Sequence, residues 1–241
     1  MFLDFVPDDM MKFAFCSSFG KVCLEEWEKE ETIKLLARLQ YISVRESSAV
    51  ELLDTIGINN AVHLLDPTLL IDNSFWKNIS APKLVKQDYV LVYQLNPNGD
   101  FDKYAYEFAK RKKLKLVHLC MKTRDLKKHG KKIILPKVEE FLSLIQHASY
   151  VITDSFHGTA FSINFNREFI NIFPAEYSTR LESILQWAGL DSRHLIEYNN
   201  FEIADRCIDY KPINKKLQLE REKADKFLMH VVQDICQNKK E

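Results

Sequence analysis

Short apolar runs and longer stretches of helical periodicity follow one another along this chain. Residues 12–16 (KFAFC) are an apolar run closed by the turn Ser17, Ser18, Phe19, Gly20, and residues 24–39 then carry apolar positions at the spacing of an amphipathic helix. Residues 41–45 (YISVR) read as a second strand. Ser48 is expected to cap the next helix, with Glu51 completing a capping box and Gly57 providing a left-handed stop. Residues 61–65 make a third strand, closed by Asp66 and Pro67. This β-α-β-α-β order predicts a parallel sheet with helical crossovers.

A polar, weakly patterned stretch over residues 72–88 is expected to be a linker. A second α/β series follows it. Strands are predicted at residues 89–95, 114–121, 131–135, 150–153 and 169–172, and helices at 101–113, 138–148, 156–165 and 178–190, the last with Gly189 near its end. A long helix is predicted over 217–235. The expected division is a partial first Rossmann-like domain (1–85), a second Rossmann-like domain (86–215) and a C-terminal helix (216–241) returning toward the first. Three strands and two helices make a thin sheet, and a parallel sheet needs both faces covered. Either the second unit covers it or something is missing.

Composition narrows the classes. The 34 Lys and Arg residues balance 34 Asp and Glu in a chain of 241 residues, so no strong field gathers nucleic acid. The Lys127, Lys128, Lys131, Lys132 cluster reads as a solvated loop. Cys16, Cys23, Cys120, Cys207 and Cys236 are odd in number and lack metal spacing, as reduced cytosolic thiols would be. His118, His129, His147 and His230 lack partners at ligand spacing, and no metal or cofactor is expected. Neither a signal peptide nor a run of about 20 apolar residues is present, so a cytoplasmic protein is expected, with peripheral contact at the inner membrane face through its substrate left open.

In open parallel sheets ligands bind beyond the carboxyl ends of the strands. The polar residues there are Ser17, Ser18, Arg45, Glu46, Asp66 and Thr68 in the first unit, and Asn96, Asn98, Lys122, Arg124 and the run 154–159 (DSFHGT) in the second. That run passes from a strand into a helix whose first amides form an anion site. Gly158 would allow close approach, Ser155 and Thr159 would offer hydroxyls, and His157 would transfer a proton near neutrality. Two readings stand at this stage: an anion site beside a proton-transfer group, or a helix cap with a histidine filling a turn.

Residues 150–172 (YVITDSFHGTAFSINFNREFINI) closely resemble the most characteristic segment of the polysaccharide pyruvyl transferase family. Residues 41–46 (YISVRE) and 64–71 (LLDPTLLI) resemble two other segments of that family, in the same order. The resemblance implies a GT-B-like α/β fold, two Rossmann-like parallel-sheet domains facing a cleft, the first one incomplete because its opening strands are absent. It also implies transfer of the enolpyruvyl group of phosphoenolpyruvate onto two sugar hydroxyls, with His157 as catalytic acid/base and Arg45 as a catalytic cation meeting the donor from the opposite domain. Ser155, Gly158, Thr159 and Arg180 would bind the donor; Glu46 is a further acid/base candidate, and Asp66 reads as a turn residue. The acceptor would be a lipid- or nucleotide-linked sugar.

Two other classes remain open. A GT-B glycosyltransferase would need an acid for the ribose of a nucleotide sugar, for which Glu176 is available. A catalytically degenerate interaction protein would use the open edge of the short first sheet to pair with another chain, which also makes an oligomer conceivable.

Overall fold

Strand β1 (Phe13–Ser17), helix α1 (Glu26–Leu36), β2 (Tyr41–Val44), α2 (Ser47–Thr55) and β3 (Ala61–His63) follow the expected β-α-β-α-β order. The structure is a computed structural model that describes residues 2–21, 23–175 and 178–238. The three strands pair in parallel in the order β1-β2-β3. Helix α2 starts at Ser47 with Glu46 in the cap position, so the expected Ser48 cap does not form. The first turn closes two residues earlier because the Glu46 carbonyl accepts the Ala49 amide at 3.1 Å. Gly57 follows that helix with φ +82°, the left-handed conformation expected of it.

Alternation along the strands serves two different covers. Ile42 and Val44 bury against Leu36, Leu39, Ala49 and Leu53 from α1, α2 and the turn after α1. The opposite face is covered from the far end of the chain by α9 (Tyr210–Asn238), whose Ala224 joins the buried cluster of Cys16 and Leu64. Phe227 stacks on Phe15 and meets Tyr41 edge-on at centroid distances of 6.2 and 6.0 Å. The thin sheet thus has both faces covered, as parallel pairing requires. Helix α9 begins seven residues before the position read from the sequence, 217 against 210. Pro212 sits in its first turn, where a missing N–H costs nothing.

Contacts divide the chain into one unit of residues 1–70 with 214–241 and another of residues 71–213. The first also holds the short α3 (Pro67–Leu70). The second opens with α4 (Asn73–Ile79), inside the stretch expected to be a linker. That stretch is structured because Asn73 and Asn164 hold it in place. Asn73 Nδ2 donates to the Asn164 carbonyl at 3.2 Å, Asn164 Nδ2 donates to the Ile71 carbonyl at 3.1 Å, and Trp76 packs edge-on against Phe161.

The second sheet comprises β4 (Tyr89–Tyr93), β5 (Lys115–Cys120), β6 (Lys131–Ile134), β7 (Tyr150–Thr153) and β8 (Glu168–Asn171), all parallel, in the order β6-β5-β4-β7-β8. Val90 and Val92 face α5 (Gly99–Arg111) through Phe101, Tyr104 and Phe108. Tyr89 and Tyr93 face the other way, where Tyr89 donates to the Leu144 carbonyl of α6 (Val138–Gln146) at 2.6 Å and Tyr93 meets Phe141 edge-on. Helices α7 (Phe156–Asn164) and α8 (Thr179–Ala188) complete this unit, α8 ending on Gly189 at φ +67°. β4 and β7 are neighbours although the chain leaves them toward opposite edges, which makes their junction the topological switch point.

Candidate active site

The run after β7 is built as a tight cap. Ser155 is the N-cap of α7 and its Oγ accepts the Gly158 amide at 3.3 Å. The Ser155 amide donates to Thr153 Oγ1 at 3.0 Å, and Thr153 in turn donates to the Tyr93 carbonyl at 2.6 Å. Burial pushes the Tyr93 phenol up, while its hydrogen bond with Ser155 works against that shift. A Cβ on Gly158 would lie 2.5 Å from Thr153 Oγ1, so the glycine is required by the packing of helix on strand. Thr159 is fully buried; both its amide and its hydroxyl donate to the Ser155 carbonyl at 3.0 Å, and its hydroxyl accepts from Asn171.

The hydroxyls of Ser155 and Thr159 and the amide of Gly158 are engaged within the fold, where they hold the helix start. What the cap presents is His157, the exposed residue of an otherwise buried first turn. Its ring meets Phe156 edge-on at 5.5 Å, and the Arg180 guanidinium from the first turn of α8 lies over the same Phe156 ring, 5.9 Å from its centroid. Two side chains picked out separately in the sequence are thereby brought to one phenyl ring. Among the described residues, the buried Nε of Arg180 has no hydrogen-bond partner.

Asp154 has a structural role that the sequence did not disclose. Its carboxylate accepts the amides of Leu95 and Asn96 at 2.7 and 2.8 Å and the Asn96 side chain at 3.0 Å. It therefore ties the ends of β4 and β7 together at the switch point. A cavity of about 360 Å³ opens there, with Asn96, Asn98, Asp154 and Phe173 in its wall. Phe173 stacks on His194 with centroids 3.6 Å apart. Burial lowers the pKa of His194, against the opposing pull of Glu182. Asn98 caps α5 by accepting the amides of Asp100 and Phe101, both at 3.0 Å. Glu176 lies outside the described residues.

In the first unit the strand ends gather a second polar group. Arg45, after β2, pairs through Nη1 with the Asp66 carboxylate, which also accepts the Thr68 amide at 2.9 Å and the Thr68 hydroxyl at 2.7 Å. Burial raises the Asp66 pKa, but the Thr68 hydroxyl and amide and the Arg45 guanidinium outweigh it and hold the carboxyl below its usual value. Asp66 is thus the turn residue that the sequence suggested and also the anchor of Arg45. Glu46 is buried and accepts from the Ser18 hydroxyl.

The sequence profile of polysaccharide pyruvyl transferases matches residues 1–172. The chain belongs to the polysaccharide pyruvyl transferase family. Both Arg45 and the 154–159 run fall within the matched residues, while Arg180 lies beyond them. No curated protein matches the sequence. Among solved structures, a UDP-N-acetylglucosamine 2-epimerase from Rickettsia bellii is 15% identical with a TM-score of 0.51, the alignment covering 88% of this chain and 66% of that one. A UDP-GlcNAc 2-epimerase from Neisseria meningitidis bound to UDP-GlcNAc is 13% identical (TM-score 0.46; 83% and 59% covered). Phytolacca americana UGT2, complexed with UDP-2fluoro-glucose and pterostilbene, is 12% identical (TM-score 0.47; 85% and 56% covered). At such identities the likeness concerns fold alone, and the Rickettsia match agrees with a GT-B-like α/β architecture. This pyruvyl transferase family member spans between 56% and 66% of the lengths of these three structures. Among the described residues no helix is long and apolar enough to cross a membrane, and no group of His, Cys, Asp and Glu residues is arranged to hold a metal.

Proposed function

We propose that this chain transfers the enolpyruvyl group of phosphoenolpyruvate onto two hydroxyls of a lipid- or nucleotide-linked sugar in cell-surface polysaccharide synthesis, at the cytoplasmic face of the membrane. In that reaction the donor's methylene carbon gains a proton and becomes a methyl group, and positive charge builds on the adjacent carbon. The two sugar hydroxyls add to that carbon and phosphate leaves. Of the two hydroxyl protons, one balances the new methyl hydrogen and the other departs on the phosphate. The observation that carries the reading is the meeting of exposed His157 and Arg180 at Phe156, beyond the end of β7, in a member of this family.

His157 is the group we assign to proton transfer, because an imidazole changes protonation near neutrality. Among the described residues the buried Arg180 Nε–H has no hydrogen-bond acceptor, and a carboxylate or phosphate is the acceptor that satisfies it best. Arg45 is assigned as the second cation, held in one geometry by Asp66. Ser155, Gly158 and Thr159 set the position of His157.

The assay is phosphate release from phosphoenolpyruvate with lipid- and nucleotide-linked sugars as acceptors. His157→Gln is expected to lower turnover by about 100-fold or more, with little change in donor affinity. Arg180→Ala and Arg45→Ala should weaken donor use. If the two arginines serve one donor with His157, each double variant with His157→Gln will lose less than the sum of its singles. Turnover indifferent to His157 would sink the mechanism. Cleavage of a nucleotide sugar with glycosyl transfer, and no phosphate from phosphoenolpyruvate, would assign the chain to the glycosyltransferase class instead.

A further inference from the structure

A pocket of about 620 Å³ lies in the second unit on the α5 face of β5, away from the Phe156 site. Its existence follows from the topology. The chain passes from β4 to β5 through the thirteen-residue α5, but from β5 to β6 only through the short 3-10 turn Thr123–Lys127. No helix accompanies that second crossover, so the face of β5 beside α5 is left as a hollow. Leu116 and His118 of β5 form its floor, one face of α5 its wall, and Lys127, Lys128 and His129 its rim. Gly130 holds the rim close to the strand at φ +97°, where a Cβ would lie 2.7 Å from the Leu116 carbonyl oxygen.

The lining has a definite chemistry. Among the described residues, three ammonium groups, those of Lys103, Lys127 and Lys128, face the pocket with one carboxylate, Asp102. Lys128 pairs with Asp102 at 3.1 Å and also donates to Gln94, so it is held in place, and among the described residues the positive excess resides chiefly on Lys127. Lys103 makes a looser pair with Asp100 at 3.5 Å. On the same wall Tyr106 and His129 form an open aromatic pair with centroids 5.2 Å apart, and Tyr106 is 43% exposed. Ammonium groups on the wall and rim suit a diphosphate, and an exposed ring pair suits a stacked base.

We propose that this pocket binds a nucleoside diphosphate, the phosphates between Lys103, Lys127 and Lys128 and the base on Tyr106 and His129. Taken with the proposed function, on which this last step rests, the ligand is the carrier end of a nucleotide-linked acceptor.

Calorimetric titration of the full chain tests this with UDP, GDP, inorganic pyrophosphate, uridine and farnesyl diphosphate. The nucleoside diphosphates should bind at least about tenfold more tightly than pyrophosphate or farnesyl diphosphate, since a stacked base adds to the affinity. Tyr106→Ala should erase that margin and leave pyrophosphate unchanged. The Lys103→Ala, Lys127→Ala double variant should weaken every diphosphate by about tenfold or more. These side chains are exposed, and thermal melts will show the variants folded. Equal affinity for all the diphosphates in the unmodified chain would mean a bare anion surface and overturn the proposal. Tightest binding of farnesyl diphosphate would assign the pocket to a lipid carrier, and UDP binding indifferent to all the variants would place the nucleotide elsewhere. Phosphoenolpyruvate titrated alongside separates the two readings. If UDP binds here and phosphoenolpyruvate binds nowhere, the transferase reading fails and the pocket stands; the reverse result sinks the pocket alone.

Discussion

Gly158 shows how one missing side chain decides the placement of another. The first turn of α7 lies so close to β7 that a single methyl would meet Thr153 Oγ1 at 2.5 Å. Gly158→Ala is therefore expected to cost about 1–3 kcal/mol through overpacking and to lower activity as well, because the shifted turn carries His157 with it. Gly99→Ala is the control, since nothing lies within 4 Å of its Cβ position. Its melting temperature should stay close to that of the unmodified chain, as paired thermal melts will show. The cysteines divide just as sharply. Cys16 is buried and burial beside Asp66 pushes its thiol up to about 12, whereas Cys23, Cys207 and Cys236 are exposed. Iodoacetamide at pH 8 should label those three in the folded protein and leave Cys16 and buried Cys120 unmodified until denaturant is added. Peptide mass spectrometry reads the result directly.

At the scale of the element, the loops beyond β2 and β3 are held by charge. Asp66 receives Arg45 from one strand end and the Thr68 amide and hydroxyl from the first turn of α3. Its folded pKa lies below the unfolded value, so its contribution to stability is present above about pH 4 and is lost as pH falls through the folded value. Asp66→Asn should accordingly destabilise the first unit at pH 7, with a deficit that shrinks as the pH drops below about 4. Thermal melts of both proteins between pH 3 and 7 test the sign; a deficit constant with pH would mean that the carboxylate charge is not what matters. The same variant removes the charged partner that Asp66 gives Arg45. It should therefore weaken donor use even where the fold survives.

At the scale of the whole molecule, the first unit is completed by the end of the chain. Its sheet shows one face to α1 and α2 and the other to α9, with Phe15, Tyr41 and Leu64 meeting Ala224 and Phe227. Truncation after Ile213 removes that cover and exposes the apolar face of a parallel sheet. Hydrogen exchange in β1, β2 and β3 should then become fast, while β4, β5, β7 and β8 keep their protection, since the second unit is continuous from Ile71 to Ile213. Loss of protection in both sheets together would show the two units to be one cooperative block. Phe227→Ala is the milder form of the same test and should cost about 3–5 kcal/mol at most, in the first unit alone.

Strand and helix order, the parallel sheets and the two chemically loaded strand ends at residues 45 and 154–159 were legible in the sequence, because apolar periodicity and turn residues are local signals. So was the family, because its segments are contiguous. Local reading went astray where a partner distant in the chain decides the outcome. Residues 73–79 are helical through Asn164 and Phe161, some ninety positions away, and nothing within the segment announces them. Ser155 and Thr159 look like ligand donors in the sequence, and only the fold shows both hydroxyls engaged, that of Ser155 with Tyr93 and that of Thr159 donating to the Ser155 carbonyl while accepting from Asn171. Asp154 reads only as a polar residue at a strand end until the amides of Leu95 and Asn96 converge on it. The pocket over β5 exists only because a crossover lacks a helix, and a hollow leaves no periodic trace in sequence. Sequence specifies which backbone forms are favourable along each stretch; tertiary packing decides which polar atoms are consumed in holding them together and which, such as His157, are left facing outward.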